Sequence, residues 1–264
     1  VGIANGNIFG FPVTEEEADI VIIPVPWDAT ASYGKGTSDG PKAILDASTQ
    51  LDFYHPKLEK AHNTKVYMAP VSSEWLEINR KLCSKTIDYI AFLEDGGNID
   101  QNEHFSDLLQ TVNETQEAMK NNLRDRAKEL IQQGKIVAVL GGEHSTPLGL
   151  LEAIDQQGES FGILQIDAHA DLRIAYEGFV QSHASIMYNA LQNCKNLKRL
   201  VQVGIRDISE MEVEMIQNSQ GRIVTHFDWN LKEDQFNGTT WADQVENILA
   251  DLPHNVYVSF DIDG

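Results

Sequence analysis

The stretch Phe161-Gly162-Ile163-Leu164-Gln165-Ile166-Asp167-Ala168-His169-Ala170-Asp171 changes character at its middle. Its first six residues form a short, nearly continuous apolar run, the pattern of a strand buried on both faces of a parallel sheet. Its last five place an acid, an imidazole and a second acid at alternate positions. The same event recurs twice. The apolar run 135–140 is followed by Gly141-Gly142-Glu143-His144-Ser145, and Val258-Ser259-Phe260 by Asp261-Ile262-Asp263. The other strand candidates are 20–26, 200–204 and 222–226, with the last-named acidic pair closing a strand over 256–261. Helical periodicity covers 41–51, 115–134, 146–157, 182–193, 207–218 and 241–252, and Pro41 after Asp39-Gly40 suits a first helical turn. Between 67 and 113, the segments 74–92 and 104–135 read as helices around a break at Gly96-Gly97-Asn98, an excursion on one side of the sheet. Strand–helix alternation predicts an α/β fold, a three-layer α/β/α arrangement with a mostly parallel sheet, in a single domain over residues 1–264.

In open α/β sheets, ligands sit beyond the carboxyl ends of the strands. Alternate residues of an extended segment share a face, so Asp167, His169 and Asp171 can address one cavity, and Asp261 and Asp263 likewise. Carboxylates crowded together repel unless cations neutralise them. With His144, the three strand ends offer six nitrogen and oxygen ligands, enough for two divalent metals. A set this rich in carboxylates favours Mn²⁺ over zinc and leaves Mg²⁺, Co²⁺ and Ni²⁺ open. Two such ions about 3.5–4 Å apart make a hydrolytic nucleophile from water at neutral pH. Taken singly, each motif has a plainer meaning: Gly141-Gly142 as a tight turn, a strand-end Asp as a helix cap, Glu143 as a helix-start acid. The chemical reading comes from all three strand ends together.

Twenty basic residues against 40 acidic ones give a net charge of −20. That sign argues against nucleic acid and anionic membrane as partners. It suits a small cationic substrate. No apolar run approaches the roughly 20 residues that span a bilayer, since the longest, near 20–27, is interrupted by Pro24 and Pro26. Cys83 and Cys194 belong to no CxxC pair, and no basic segment leads into an apolar one at the start. These features predict a reduced, cytoplasmic setting. His55, His62, His104 and His254 lie in polar contexts and read as surface residues, whereas His226 ends a strand candidate.

The combination of Gly141-Gly142-Glu143-His144-Ser145, Ile166-Asp167-Ala168-His169-Ala170-Asp171-Leu172-Arg173, Ser182-His183-Ala184-Ser185 and Ser259-Phe260-Asp261-Ile262-Asp263 resembles the ureohydrolases, the arginase/agmatinase family. Pro26-Trp27-Asp28, Gly34 and Gly40-Pro41-Lys42-Ala43-Ile44 are similar to that family's opening segment. The resemblance implies an arginase-like fold and a hydrolase of linear amidines with two Mn²⁺ per chain. It implies His144, Asp167, Asp171 and Asp261 as ligands of one ion, and Asp167, His169, Asp261 and Asp263 as ligands of the other. His183 matches the family's proton-shuttling histidine, and Asp171 would take a proton from the nucleophile. The reaction so implied releases urea and an amine from a guanidino compound, with agmatine to putrescine, a step of polyamine metabolism, as the first expectation. It also implies a homo-oligomer, a trimer or hexamer.

Three departures qualify the resemblance. Arginases carry Asn where this chain has Arg173; Arg173 with Tyr176-Glu177-Gly178 looks like agmatinases, while an arginine there also suits an acidic substrate tail, as in guanidinobutyrate or formiminoglutamate hydrolysis. Ala184 follows the shuttle histidine where the family usually has Gly. Relatives also continue past the Asp-x-Asp motif, so the chain is expected to lack the C-terminal part of the domain. Arginase, guanidinobutyrase and formimidoylglutamase activities are the alternatives. From other classes, a deacetylase on the related fold and a non-catalytic relative are to be weighed.

Overall fold

The computed structural model describes residues 3–57 and 63–264, so the expectation for His62 lies outside the described residues. The chain divides into two compact units: residues 1–150 with 177–179, and residues 151–176 with 180–264.

The first unit is built on a three-stranded parallel sheet. β1 (Ile20–Val25) lies between β2 (Val66–Met68) and β3 (Ile136–Gly141). Side chains alternate across β1 as period two requires. Ile20 and Ile22 pack with Ile8, Val66, Met68 and Leu45 of α1 (Gly40–Ser48) on one face. On the other, Val21 and Val25 pack with two long helices, α2 (Ser73–Glu94) and α3 (Glu103–Gln132). Sheet and helices therefore form three layers within this unit. Local chemistry fixes the helix starts: Ser72 caps α2 by accepting from the Trp75 amide, and Asn102 caps α3 by accepting from the Phe105 amide. Gly134, at φ +79, takes the left-handed position just past α3.

α4 (Leu148–Asp155) carries the chain into the second unit, whose four-stranded sheet is also parallel throughout. Its order is β6 (Ile223–Phe227), β5 (Leu197–Ile205), β4 (Phe161–Ile166), β7 (Val256–Phe260). The helices here are α5 (Ile186–Asn193), α6 (Glu210–Asn218), α7 (Asp228–Phe236) and α8 (Trp241–Ala250). Reciprocal capping boxes start α6 (Ser209, Glu212) and α8 (Thr240, Asp243). No described helix is long and apolar enough to cross a membrane.

The α/β reading holds, with several corrections. The described strands form two hydrogen-bonded sheets. β2 is an additional strand within the stretch expected to be helical, and α7 is an additional helix. The helix expected over 104–135 is Glu103–Gln132, so it ends three residues earlier. Residues 182–185 do not join α5; a 3-10 turn, His183–Ser185, precedes it. The apolar runs 136–140 and 256–260 are not buried on both faces. β3 and β7 are edge strands of their sheets, each hydrogen-bonded on one side only among the described residues. Ile136 is exposed, as are Val256, Val258 and Phe260 along one face of β7. The doubly buried strands are central ones: β4, and β5 with Leu200, Val201 and Gln202 all at 0% exposure.

Candidate metal centre

The second unit carries most of the expected ligands beyond the carboxyl ends of β4 and β7. Asp167 follows Ile166 directly and is 1% exposed. Its ligand oxygen, a ring nitrogen of His169 and an oxygen of Asp263 all lie within 4.8 Å of one another. His169 Nδ1 is 3.1 Å from Asp263 Oδ2 and 3.6 Å from Asp167 Oδ1. The turn after β7 sets the position of Asp263. Its amide donates to Asp261 Oδ1 at 3.2 Å, its Oδ1 accepts from the Ala168 amide at 3.0 Å, and its carbonyl accepts from the Arg206 guanidinium.

Asp171 closes the same segment. It is 4% exposed and sits at φ +54, in the left-handed region that Asp tolerates better than most residues. Its carbonyl accepts from the Met187 and Tyr188 amides at 3.1 and 3.2 Å, which ties the ligand segment to α5. His183 opens the 3-10 turn between the two. Tyr176 meets its imidazole in a T-shaped contact, ring centroids 5.7 Å apart and planes at 77°.

The electrostatics fit a cation. Burial raises the Asp263 carboxyl above the ordinary carboxylate range, and the charges of Asp261 and Asp167 push the same way, against the Ala168 amide and His169. Like charges gathered in one place are stabilised by a divalent ion that removes their repulsion. Imidazole and carboxylate are its usual ligands.

Gln165 and Gln202 escaped the sequence reading. Both are 0% exposed in the middle of apolar strands. Gln165 Nε2 donates to Asp167 Oδ2 at 2.9 Å and to the His169 carbonyl at 3.0 Å. Gln202 Nε2 donates to Gln165 Oε1 at 2.7 Å and to the Ala170 carbonyl at 2.8 Å, and Gln202 Oε1 accepts from Thr225 Oγ1 at 2.8 Å. A buried polar row thus crosses β6, β5 and β4 and ends on Asp167. Polar residues inside Leu164-Gln165-Ile166 and Val201-Gln202-Val203 were its only signal. Asp207, also unforeseen, has its Oδ2 3.7 Å from His169 Nε2.

His144 belongs to the first unit, in the loop after β3, and the surroundings of that loop are specific. Glu143, 7% exposed, accepts from Thr30 Oγ1 and the Ser145 amide, each at 2.9 Å, and from the Ser145 hydroxyl. Gln116 Nε2 donates to both Thr30 and Ser145 hydroxyls. Glu143 is therefore a buried support for the loop rather than a helix-start acid. Gly142 lies so close to Trp27 that a Cβ there would stand 1.8 Å from the Trp27 carbonyl oxygen.

Of the other histidines, His226 lies on β6 with Nε2 3.3 Å from Asp251 Oδ2, an ion-pair geometry apart from the ligand segment. His55, His104 and His254 are exposed, as expected.

The chain matches the arginase family over residues 18–264 and belongs to it. That places it among the ureohydrolase-type hydrolases. It is 27% identical over 252 residues to the N(1)-aminopropylagmatine ureohydrolase of Synechocystis sp., a match covering 94% of this chain and 68% of that protein. The agmatine ureohydrolase of Thermoplasma volcanium shares the fold with a TM-score of 0.68 at 21% identity, over 99% of this chain and 73% of that one. The formiminoglutamase of Trypanosoma cruzi with Mn²⁺ does so with a TM-score of 0.65 at 17% identity, over 97% and 73%. These likenesses establish the α/β arginase-like fold.

Proposed function

We propose that this chain is a dimanganese ureohydrolase that releases urea and an amine, with agmatine or a related guanidino-polyamine as substrate. The observation that carries the metal reading is the convergence of Asp167, His169 and Asp263 at strand ends, with Asp261 in the same turn as Asp263. His144, Asp167, Asp171 and Asp261 would hold one ion, and Asp167, His169, Asp261 and Asp263 the other. Two divalent ions would supply charge neutralisation and the acidification of a water molecule. Asp171 would accept the proton of the attacking water, and His183 would protonate the departing amine nitrogen. The net charge of −20 would draw in a cationic guanidine. Manganese is supported by the carboxylate-rich ligand set and by the Mn²⁺ of the Trypanosoma cruzi relative. A polyamine-type substrate is supported by the Synechocystis relative. Residues 1–264 would belong to a single ureohydrolase domain in a cytoplasmic homo-oligomer, trimeric or hexameric.

The test is urea release with Mn²⁺ from agmatine, aminopropylagmatine, arginine, guanidinobutyrate and formiminoglutamate, together with metal analysis. About two Mn²⁺ per chain and turnover of the cationic substrates are expected. Asp167→Ala should lose both the metal and the activity, because this one side chain would serve both ions. Activity and bound metal surviving in that variant would overturn the ligand assignment. His183→Ala should keep the metal and slow turnover on the order of 10²-fold or more.

A further inference from the structure

Arg173 stands where an arginine suggests a receptor for a carboxylate-bearing substrate tail, but its surroundings point elsewhere. Its Cζ lies over the ring of Tyr176, 4.8 Å from the centroid. Its Nε is 4.0 Å from Glu212 Oε2. Glu212 is 5% exposed and is itself fixed, accepting from the Leu172 amide at 3.0 Å and from the Ser209 amide and hydroxyl at 3.0 and 2.7 Å. The Arg173 amide donates to the Ala184 carbonyl at 3.0 Å, so the backbone beside His183 is anchored on the same residue. Tyr176, with one face occupied by the guanidinium, makes the T-shaped contact with the His183 imidazole. Glu212, Arg173, Tyr176 and His183 form one continuous sequence of contacts.

We propose that Arg173 acts inward, as a clamp that holds Tyr176 against His183, and that both are positioning residues for the proton donor. The guanidinium, its side chain 44% exposed, is held by an aromatic face on one side and a buried carboxylate at ion-pair distance on the other. Such a clamp turns the guanidinium toward Tyr176 rather than toward a substrate tail, so the site would favour guanidines with a neutral or cationic tail. A proton donor works only while its ring is held within hydrogen-bond reach of the leaving nitrogen, and an aromatic neighbour fixes the plane of an imidazole. This inference rests on the ureohydrolase reading for the role of His183, while the contact itself can be tested apart from activity.

The experiment compares Arg173→Met, Tyr176→Leu and Tyr176→Phe in the full chain with two readouts. The first is the NMR shift of the His183 ring protons with Mg²⁺ present. The ring-current displacement should persist in Tyr176→Phe and vanish in Tyr176→Leu; identical His183 shifts in all variants would overturn the contact. The second is steady-state kinetics with Mn²⁺ on agmatine and guanidinobutyrate. Arg173→Met and Tyr176→Leu should lower kcat by about tenfold or more on any substrate turned over, with KM little changed, and Tyr176→Phe should rescue it. A KM rise confined to guanidinobutyrate, with kcat intact, would instead make Arg173 the tail receptor and overturn the clamp. No urea from any guanidino compound, with the ring-current pattern present, would remove the ureohydrolase reading and leave the Arg173–Tyr176–His183 clamp standing.

Discussion

The side-chain amide of Gln165 donates to Asp167 Oδ2 at 2.9 Å, while the His169 amide donates to Asp167 Oδ1 at 2.8 Å. Both oxygens of this carboxylate thus face donors supplied by the protein. The orientation of Gln165 is not free to invert. The His169 carbonyl can only accept, which keeps the Gln165 NH₂ on that side; the Ala170 carbonyl does the same for Gln202, whose NH₂ then meets Gln165 Oε1. Partners of this kind orient metal ligands, and their loss costs about 10–100-fold in metal affinity. Gln165→Leu is therefore expected to weaken Mn²⁺ binding by that factor in a protein that still melts cooperatively. Metal-buffered titration followed by circular dichroism checks both. Wild-type affinity in the folded variant would show that Asp167 is oriented without it.

Gly142→Ala should be among the most damaging small substitutions in the chain. The added methyl would sit 1.8 Å from backbone, the Trp27 carbonyl, which no side-chain rotation can relieve. Overpacking costs about 1–3 kcal/mol even where neighbours can adjust, so a loss at or above the top of that range is expected. Gly158→Ala is the control. It has open space around its Cβ and only the strain of φ +83, about 1–2 kcal/mol. Urea denaturation ranks the two; equal losses would count against the tight approach at Trp27.

Cys83 should be inert in the folded protein. Burial pushes its thiol up to about 12, helped by the hydrogen bond to Asp28 Oδ1 and that residue's charge, against the opposing pull of Lys35. Only the thiolate reacts, and at pH 7.5 it would be on the order of 10⁻⁵ to 10⁻⁴ of the population. Cys194 is 1% exposed. Iodoacetamide followed by intact-mass analysis should therefore find both thiols unmodified until denaturant is added. Rapid native labelling at Cys83 would contradict the raised thiol of the half-buried Asp28–Cys83 pair.

Glu177 gives a pH dependence of definite sign. Burial raises its carboxyl above the ordinary 4.5, with Lys35 opposing and Glu94 reinforcing. Its Oε2 is buried and has no hydrogen-bond partner among the described residues. In the unfolded chain the group ionises first as pH rises, so the folded state loses stability from about pH 4.5 up through the raised folded value. Glu177→Gln cannot ionise and should gain on the wild type across that window. Chemical denaturation at pH 4, 5, 6 and 7 should show the gap moving in the variant's favour. Parallel curves would mean that Glu177 is not desolvated when folded.

What the sequence made legible was local. The run Phe161–Ile166 and the acids and imidazole after it fall within one short window, and both strand and strand-end chemistry can be read there. β2 is not legible because three residues carry too little pattern, and α7 because Leu231 is its one buried side chain. The edge positions of β3 and β7 depend on which strands pair, and β-branched runs do not reveal that. Gln165 and Gln202 are the clearest case. Each alone is a polar blemish in a strand, and their meaning comes from the register that sets Gln165 opposite Gln202 and Gln202 opposite Thr225. Arg173 stands out in the sequence, but its partner Glu212 lies 39 residues on, with nothing in between to link the two.

The turn 177–179 has a consequence for the order of assembly. It belongs to the first unit, although residues 151–176 before it belong to the second. Phe179 is fully buried against Tyr89, ring centroids 5.4 Å apart, and the Tyr89 hydroxyl donates to the Glu177 carbonyl at 2.7 Å. On a ribosome, where a chain emerges from its N-terminus, the first unit therefore cannot close its core when its own strands and helices are complete. It must wait until β4 and the ligand segment have also been made, and the pairing of Tyr89 with Phe179 is a long-range contact whose loop-closure cost delays it.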